Sequence, residues 1–443
     1  MADSDKGIPM VKLGSHALKI GSGATPRGGS QVYLEQGEIA LIRSQNVFNG
    51  GFNRKGLVYI NNDAANQLSN VTVQKSDILL NITGESVGRC CQVASDVLPA
   101  RVNQHVAIIR TNLDEIYPDY LRYFLISPSM QSLMLSWAHA GATRKALTKG
   151  MIESFSVPKP SIKIQQAIAH ILGTLDDKIE LNRQMNETLE GIARALFKSW
   201  FVDFDPVRAK AEGRDTGLPK HIADLFPDSF EESELGEIPA GWTAEPLPEL
   251  IEVNPSRPLR RGVVAPYLDM KNMPICGHSP ATITQRPFTS GMRFTKGDTL
   301  LARITPCLEN GKTAYVDFLA EGQIGWGSTE YIVLCPKLPL PAQFAYCLAR
   351  STEFRNFAIQ SMTGSSGRQR VQASSLSHFL LAAPPAAIAK QFGNAVQPLF
   401  TRAKFATEQS DTLASLRDTL LPKLISGELR VKDAERIAEK AGV

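Results

Sequence analysis

Across residues 161–204, apolar side chains recur at Ile164, Ile168, Ile171, Leu175, Met185, Leu189, Ile192 and Leu196. The steps alternate between four and three, with a polar gap around Lys178 and Asn182. This heptad predicts a helix whose apolar seam lies along another helix. At 1.5 Å per residue, about 36 residues of it would run roughly 50 Å. The pattern returns at Ile388, Phe392, Ala395, Leu399, Ala406, Leu413, Leu416 and Leu420. Ile388 stands 224 residues after Ile164 (388 − 164), a whole number of heptads, so the two copies are in phase. Pro398 falls inside the second copy, and a proline there predicts a bend or a helix restart near Gln397.

Ahead of each heptad, short alternating or wholly apolar runs are separated by Gly, Asn, Ser and Pro clusters, the pattern of strands joined by turns. In the first half they fall at 56–60, 77–82 and 105–110. Residues 118–137 are helical in period and predict two short helices broken at Pro128, followed by a polar loop at 140–149 and a short strand at 155–157. The second half repeats this order. KSDILLNI (75–82) is answered by KGDTLLARI (296–304), and NQHVAIIR (103–110) by STEYIVLC (328–335). DYLRYFLISPSMQ (119–131) is answered by AQFAYCLARSTEFRNF (342–357), and GATRKALTKGMIESF (141–155) by GSSGRQRVQASSLSHF (364–379). A period this long is a duplicated domain plus helix rather than a solenoid. Between the halves, 206–234 carries several Pro and Gly with charges of both signs, and predicts an irregular linker.

Composition narrows the picture only a little. The 443 residues are too many for one core. A net charge of +4 is compatible with nucleic acid but does not select it. The six cysteines form no Cys-x-x-Cys pair, which argues against zinc, and their scatter fits a reducing cytosol. No run is apolar enough for a membrane span, and residues 1–10 lack a signal-peptide core. The expected location is the cytoplasm.

Catalytic motifs are near misses. Asn310-Gly311-Lys312-Thr313 ends like a phosphate-binding loop, but Pro306 stands where its first glycine belongs. Asn254-Pro255-Ser256-Arg257 lacks the second proline and aromatic of an adenine methylase motif, and no glycine-rich cofactor loop precedes it. The chain is therefore expected to be non-catalytic, with no catalytic, cofactor or metal residues of its own. What recurs instead is a set of polar loops at matching places in both halves. The first half offers Arg43, Gln45, Asn46, Thr83, Ser86, Arg89, Thr143, Arg144 and Lys145. The second offers Lys271, Asn272, Arg303, Thr305, Asn310, Lys312, Arg368, Gln369 and Arg370. Arg and Lys suit guanine, Asn and Gln suit adenine, and Ser, Thr and Gly admit the phosphate backbone, so these are candidate DNA contacts. The end of the first heptad is unusually aromatic. Phe197, Trp200, Phe201 and Phe204, with Leu421 and Leu424 after the second heptad, are candidates either for docking another subunit or for packing on the chain's own domain.

Four phrases, in this order, carry a resemblance. They are Ile8-Pro9-Met10-Val11-Lys12-Leu13 with Ser22-Gly23-Ala24-Thr25-Pro26, Ala195-Leu196-Phe197-Lys198-Ser199-Trp200-Phe201-Val202-Asp203-Phe204-Asp205-Pro206, Leu235-Gly236-Glu237-Ile238-Pro239-Ala240-Gly241-Trp242, and Leu420-Leu421-Pro422-Lys423-Leu424-Ile425-Ser426-Gly427-Glu428-Leu429. Together they resemble the specificity subunits (HsdS) of type I restriction-modification systems. The resemblance implies an α+β fold: two duplicated α/β target recognition domains separated by a long antiparallel pair of helices, an intramolecular coiled coil with pseudo-two-fold symmetry. On this reading 1–160 is the first DNA target recognition domain, 161–205 the first spacer helix and 206–234 a linker. Residues 235–384 are then the second recognition domain, 385–430 the second spacer helix and 431–443 a tail. Each domain would read one half of a split, asymmetric site in double-stranded DNA. Two methylase subunits would carry S-adenosylmethionine, and restriction/translocase subunits would use ATP and Mg2+. The helices would act as a ruler, with Lys178 and Asn182 facing Arg402 and Gln409 to fix antiparallel register. The alternative is a non-catalytic scaffold whose duplicated domains bind proteins; a DNA methylase is disfavoured by the missing motifs.

Overall fold

The computed structural model of the chain describes residues 8–139, 145–365 and 367–442. The chain divides into two compact units: Met1–Ile179 with Asp411–Val443, and Glu180–Ser410. Each unit therefore contains part of both long helices.

The first unit holds two four-stranded sheets. One runs Ala17–Ser22, Val106–Thr111, Ile78–Asn81, Cys90–Gln92, antiparallel throughout. The other runs Val58–Ile60, Ile39–Ile42, Ala100–Val102, Thr72–Val73, with a parallel central pair. The second unit repeats both orders. Ile251–Val253, Tyr331–Pro336, Thr299–Ala302 and Thr313–Tyr315 form the antiparallel sheet. Thr284–Pro287, Val264–Leu268, Ile324–Gly327 and Met292–Thr295 form the sheet with the parallel centre. Strands such as Ile78–Asn81 and Thr299–Ala302 are buried along their whole length, which is why they read as apolar runs without alternation.

The two short helices fall where Pro128 divides them, at Pro118–Ile126 and Pro128–His139. Their counterparts are Ala342–Arg350 and Thr352–Gln360, where the Phe354 amide donates to the Ser351 hydroxyl as an N-cap. A strand pair closes each unit: Met10–Lys12 with Ser156–Pro158, and Thr243–Pro246 with Leu380–Ala383.

The long helices span Ile162–Phe201 and Ala386–Ser426, 40 and 41 residues, or about 60 Å each. The second is unbroken through Pro398, contrary to the expected restart. Asn394, whose carbonyl loses its partner to the proline, is exposed, as is Pro398 itself, so water can take the place of the missing bond. The seam also differs from the one the apolar residues suggested. Ile164 and Ile192 are 43% and 50% exposed, and Ala395 is exposed. Gln165, Leu172, Asn182 and Ala193 are buried instead, spaced as a heptad with Ile168 and Leu175. Asn182, 2% exposed, donates to Gln409 Oε1 (3.0 Å) and Ser410 Oγ (3.3 Å), and Asn186 to Thr407 Oγ1 (3.0 Å). The partner falls from 409 to 407 as the donor rises from 182 to 186, so the helices are antiparallel in the second unit. Arg402 is exposed and lies outside this seam. In the first unit Ile168, Ile171, Leu172 and Leu175 share a core with Leu413, Leu420, Leu421 and Leu424.

Three expectations change at the helix ends. Phe197, Trp200, Phe201 and Phe204 are at most 8% exposed and sit in the second unit's core. Phe197 meets Phe344 at 5.0 Å between centroids and Phe392 at 6.1 Å; Phe204 meets Trp242 at 5.7 Å. Leu421 and Leu424 are likewise buried in the first unit's core. These six side chains pack on their own chain and offer no docking surface. Residues 206–234 are not an irregular linker. Asp205–Ala211 is a helix, Val207, Ala209 and Phe226 are buried, and Phe230–Ser233 pairs with Gly236–Pro239. The aromatic helix end needs this cover. After Gly427, whose φ of +78° ends the second long helix, Val431–Lys440 forms another helix and buries Ala434 and Ala438.

Candidate nucleic-acid interface

In each unit the loop after a buried strand is fastened by three backbone hydrogen bonds. In the first unit Ile82 N donates to His105 O (3.0 Å), Gly84 N to Lys145 O (3.1 Å), and Leu147 N to Ile82 O (2.8 Å). In the second, Arg303 N donates to Glu330 O (3.0 Å), Thr305 N to Gln369 O (3.0 Å), and Val371 N to Arg303 O (3.0 Å). An isolated bridge sits at the centre of each, Thr83–Ala146 and Ile304–Arg370. Three segments distant in sequence are thus clipped at one place. Seven backbone positions correspond, and all seven side chains differ: Ile82/Arg303, Thr83/Ile304, Gly84/Thr305, His105/Glu330, Lys145/Gln369, Ala146/Arg370 and Leu147/Val371.

Around the first clip, Ser44, Gln45, Phe48, Thr83, Gly84, Glu85, Ser86, Arg89 and His105 line an open pocket of about 480 Å³. It brings together Gln45, Thr83, Ser86 and Arg89 from the sequence-derived set. Arg89 lies 4.8 Å over the Phe48 ring, Thr83 Oγ1 lies 2.5 Å from His105 Nδ1, and Lys145 donates to Glu85 at 3.1 Å. The left-handed φ of Gly84 (+75°) and Gly88 (+86°) bends the loop back on itself. Gln45 Nε2 donates to Gly56 O at 3.0 Å.

Around the second clip, Arg370 is held by Glu330, with Nε donating at 2.9 and 3.0 Å to the two carboxylate oxygens and Nη2 at 2.8 Å. The carboxylate pushes the guanidinium pKa up from its ordinary value. Arg303 Nη2 donates to Gln372 Oε1 at 2.8 Å, and its Nε lies 3.9 Å from Glu330. Arg303 Nε and Thr305 Oγ1 are buried without a hydrogen-bond partner.

Other candidates have structural work. Asn46 is fully buried; it donates to Asn53 O (2.9 Å) and accepts from Arg43 N (3.0 Å), so it builds a turn and cannot reach DNA. Arg43 donates to Gly56 O (2.6 Å) and lies over Tyr33. Asn272 donates to Thr282 O (3.2 Å) and Lys312 to Met270 O (2.6 Å). Lys271, in the short 3-10 helix Met270–Asn272, and Asn310 and Arg368, on loops, are exposed and lie outside the three-bond clip. Thr143 and Arg144 lie outside the described residues.

The sequence reading missed His105, Glu330, Phe48 and Gln372. The repeat already placed His105 opposite Glu330, and that match was the available signal. Among the described residues no group of His, Cys, Asp and Glu could hold a metal ion. Burial pushes the Cys90 thiol up, and Cys91 up to about 12, so both stay neutral. No helix among the described residues is long and apolar enough to cross a membrane.

A family model described as the type I restriction modification DNA specificity domain matches residues 16–191. The chain is 26% identical over 419 residues to the type I restriction enzyme HindI specificity subunit of Haemophilus influenzae, covering 81% of this chain and 87% of the relative. It is 26% identical over 332 residues to the MjaIX specificity subunit of Methanocaldococcus jannaschii, covering 72% and 71%. In fold it is similar to the S subunit of a type I restriction-modification system from M. genitalium, with a TM-score of 0.53 at 14% identity, covering 96% and 98%.

Proposed function

We propose that the chain is a specificity subunit of a type I restriction-modification system, each of whose two units reads one half of a bipartite, asymmetric site in double-stranded DNA. It is the non-catalytic, DNA-recognising subunit of a larger complex, and the scaffold alternative is not favoured. The observation that carries the two-half reading is the pair of clips. The same backbone frame occurs in both units, so both can meet DNA in the same way. All seven side chains differ, so the two halves need not be alike.

On this proposal two methylase subunits supply S-adenosylmethionine and the methyl transfer, and restriction/translocase subunits supply ATP- and Mg2+-dependent cleavage. This chain's residues would bind and orient the duplex. The two long helices would set the unread gap, supported by their continuity over 40 and 41 residues. The test is to assemble the full chain with its methylase partners and map the modified adenines. A bipartite methylated site is expected; methylation without sequence preference would overturn the reading. Adding one heptad to both helices lengthens each by about 10 Å. That should widen the gap by roughly three base pairs, at about 3.4 Å each. An unchanged gap would remove the ruler role.

A further inference from the structure

We propose that Arg370 reads a guanine in the half-site met by the second unit, with Glu330 as the residue that positions it. This rests on the specificity reading above. Glu330 engages the side edge of the guanidinium, through Nε and Nη2, and the Arg368 carbonyl accepts from Nη1 at 3.0 Å. Five N–H groups are available on an arginine, and these contacts use three of them. One N–H on each terminal nitrogen remains, enough for an end-on fork. The side chain is 36% exposed, so that fork is accessible. Guanine presents two adjacent acceptors, O6 and N7, in the major groove, which match it. Adenine places an amino donor where O6 would be, and two donors would face each other.

A phosphate would be a poorer ligand here. Glu330 lies against the arginine and repels an anion. What the carboxylate adds is orientation. Arg303 stands on its other side, with Nε 3.9 Å away, and is itself held by Gln372, so the carboxylate sits between two cations. In the first unit the matching positions are Ala146 and His105, which cannot make this fork. This arginine–carboxylate reading of guanine therefore belongs to the second unit's half-site.

The experiment presents the full chain, in complex with its partner subunits, to a randomised duplex DNA library and sequences what binds. The wild type should select a two-part motif with guanine at a fixed position in one part. Arg370→Gln should lose that preference by roughly 10- to 100-fold, or shift it to adenine, with the other part unchanged. Glu330→Gln, isosteric and away from the reading edge, should relax the same position partially and serves if Arg370→Gln does not fold. The double variant should be no more relaxed than Arg370→Gln alone. A uniform loss of affinity across all sequences, with the salt dependence reduced by about one ion, would make Arg370 a phosphate contact and overturn the assignment. So would an unchanged motif in both single variants. A wild type that selects no motif would overturn the specificity reading itself.

Discussion

The two units have the same strand orders, the same paired short helices and the same three-bond clip, yet the polar side chains of their interiors, wholly or partly buried, are wired differently. In the first unit Asp176, on the long helix, accepts from Tyr123 (2.7 Å), Arg122 (3.4 Å) and Arg417 (2.7 Å). At the heptad offset of 224 residues, Asp176 corresponds to Phe400 and Arg122 to Tyr346. Those two rings pack at 5.6 Å between centroids in the second unit. Conversely Ile126 of the first unit corresponds to Arg350, whose guanidinium is 6% exposed. Arg350 donates to the carbonyls of Ile275 (2.6 Å), Gly277 (2.5 Å), Gly311 (2.8 Å) and Thr313 (3.1 Å), and lies 3.9 Å from Glu190. The backbone frame thus tolerates either polar or aromatic filling. A frame held by main-chain bonds leaves its side chains free to diverge, as the proposed reading of two different half-sites requires.

Arg350→Ala should have the largest effect on this comparison. It leaves four carbonyls and a carboxylate without their buried cation, at a cost of about 3–5 kcal/mol. Denaturant unfolding should show the loss, whereas Ile126→Ala in the first unit should cost much less. Equal losses would mean the two sites are not counterparts in a common frame. Asp176→Ala comes next, at about 2 kcal/mol, because the carboxylate is half-buried and three donors share it. Installing the second unit's residues, Arg122→Tyr and Tyr123→Cys with Asp176→Phe, should recover most of that, since no buried hydroxyl is then left without an acceptor and Arg417 keeps Asp418 at 2.8 Å. A transplant less stable than Asp176→Ala would show that the two interiors differ in shape as well as polarity.

The long helices, their phase and the duplication were legible because heptads and repeated strands leave a periodic trace. The seam was misread because a polar residue, Asn182, occupies it while Ile164 and Ile192 are largely exposed, so apolarity was the wrong marker. Asn182 opposite Gln409 was readable as a polar break. The aromatic helix end announced burial but not its partners, which lie as far along the chain as Phe344 and Phe392. Half of the candidate site was legible as loop chemistry: Gln45, Thr83, Ser86 and Arg89 do converge. The clip was not, because backbone-to-backbone bonds carry no residue signature. Asn46 looked like a reader for the same reason that it builds its turn well: an amide side chain fits both tasks.

The smallest effect tests the frame where the units agree most closely. Before each central strand, an Asp closes a turn onto its own backbone: Gln74 N donates to Asp77 Oδ2 at 2.7 Å, and Thr295 N to Asp298 Oδ2 at 2.8 Å. Each Asp is buried and paired with an arginine, Arg110 in the first unit and Arg257 in the second. The residue before it is left-handed in both, Ser76 at φ 68° and Gly297 at φ 90°. A Cβ is strained there by about 1–2 kcal/mol, offset in part by glycine's larger entropy loss on folding. Ser76→Gly should therefore stabilise the chain by about 0.5–1 kcal/mol. Gly297→Ala should destabilise it by about 1 kcal/mol, from strain and from a Cβ placed 3.4 Å from that of Ala342. Thermal unfolding of the two variants would read the opposite signs. Destabilisation by Ser76→Gly would mean that the serine hydroxyl has work the second unit's turn does not need, and that the two turns share only their outline.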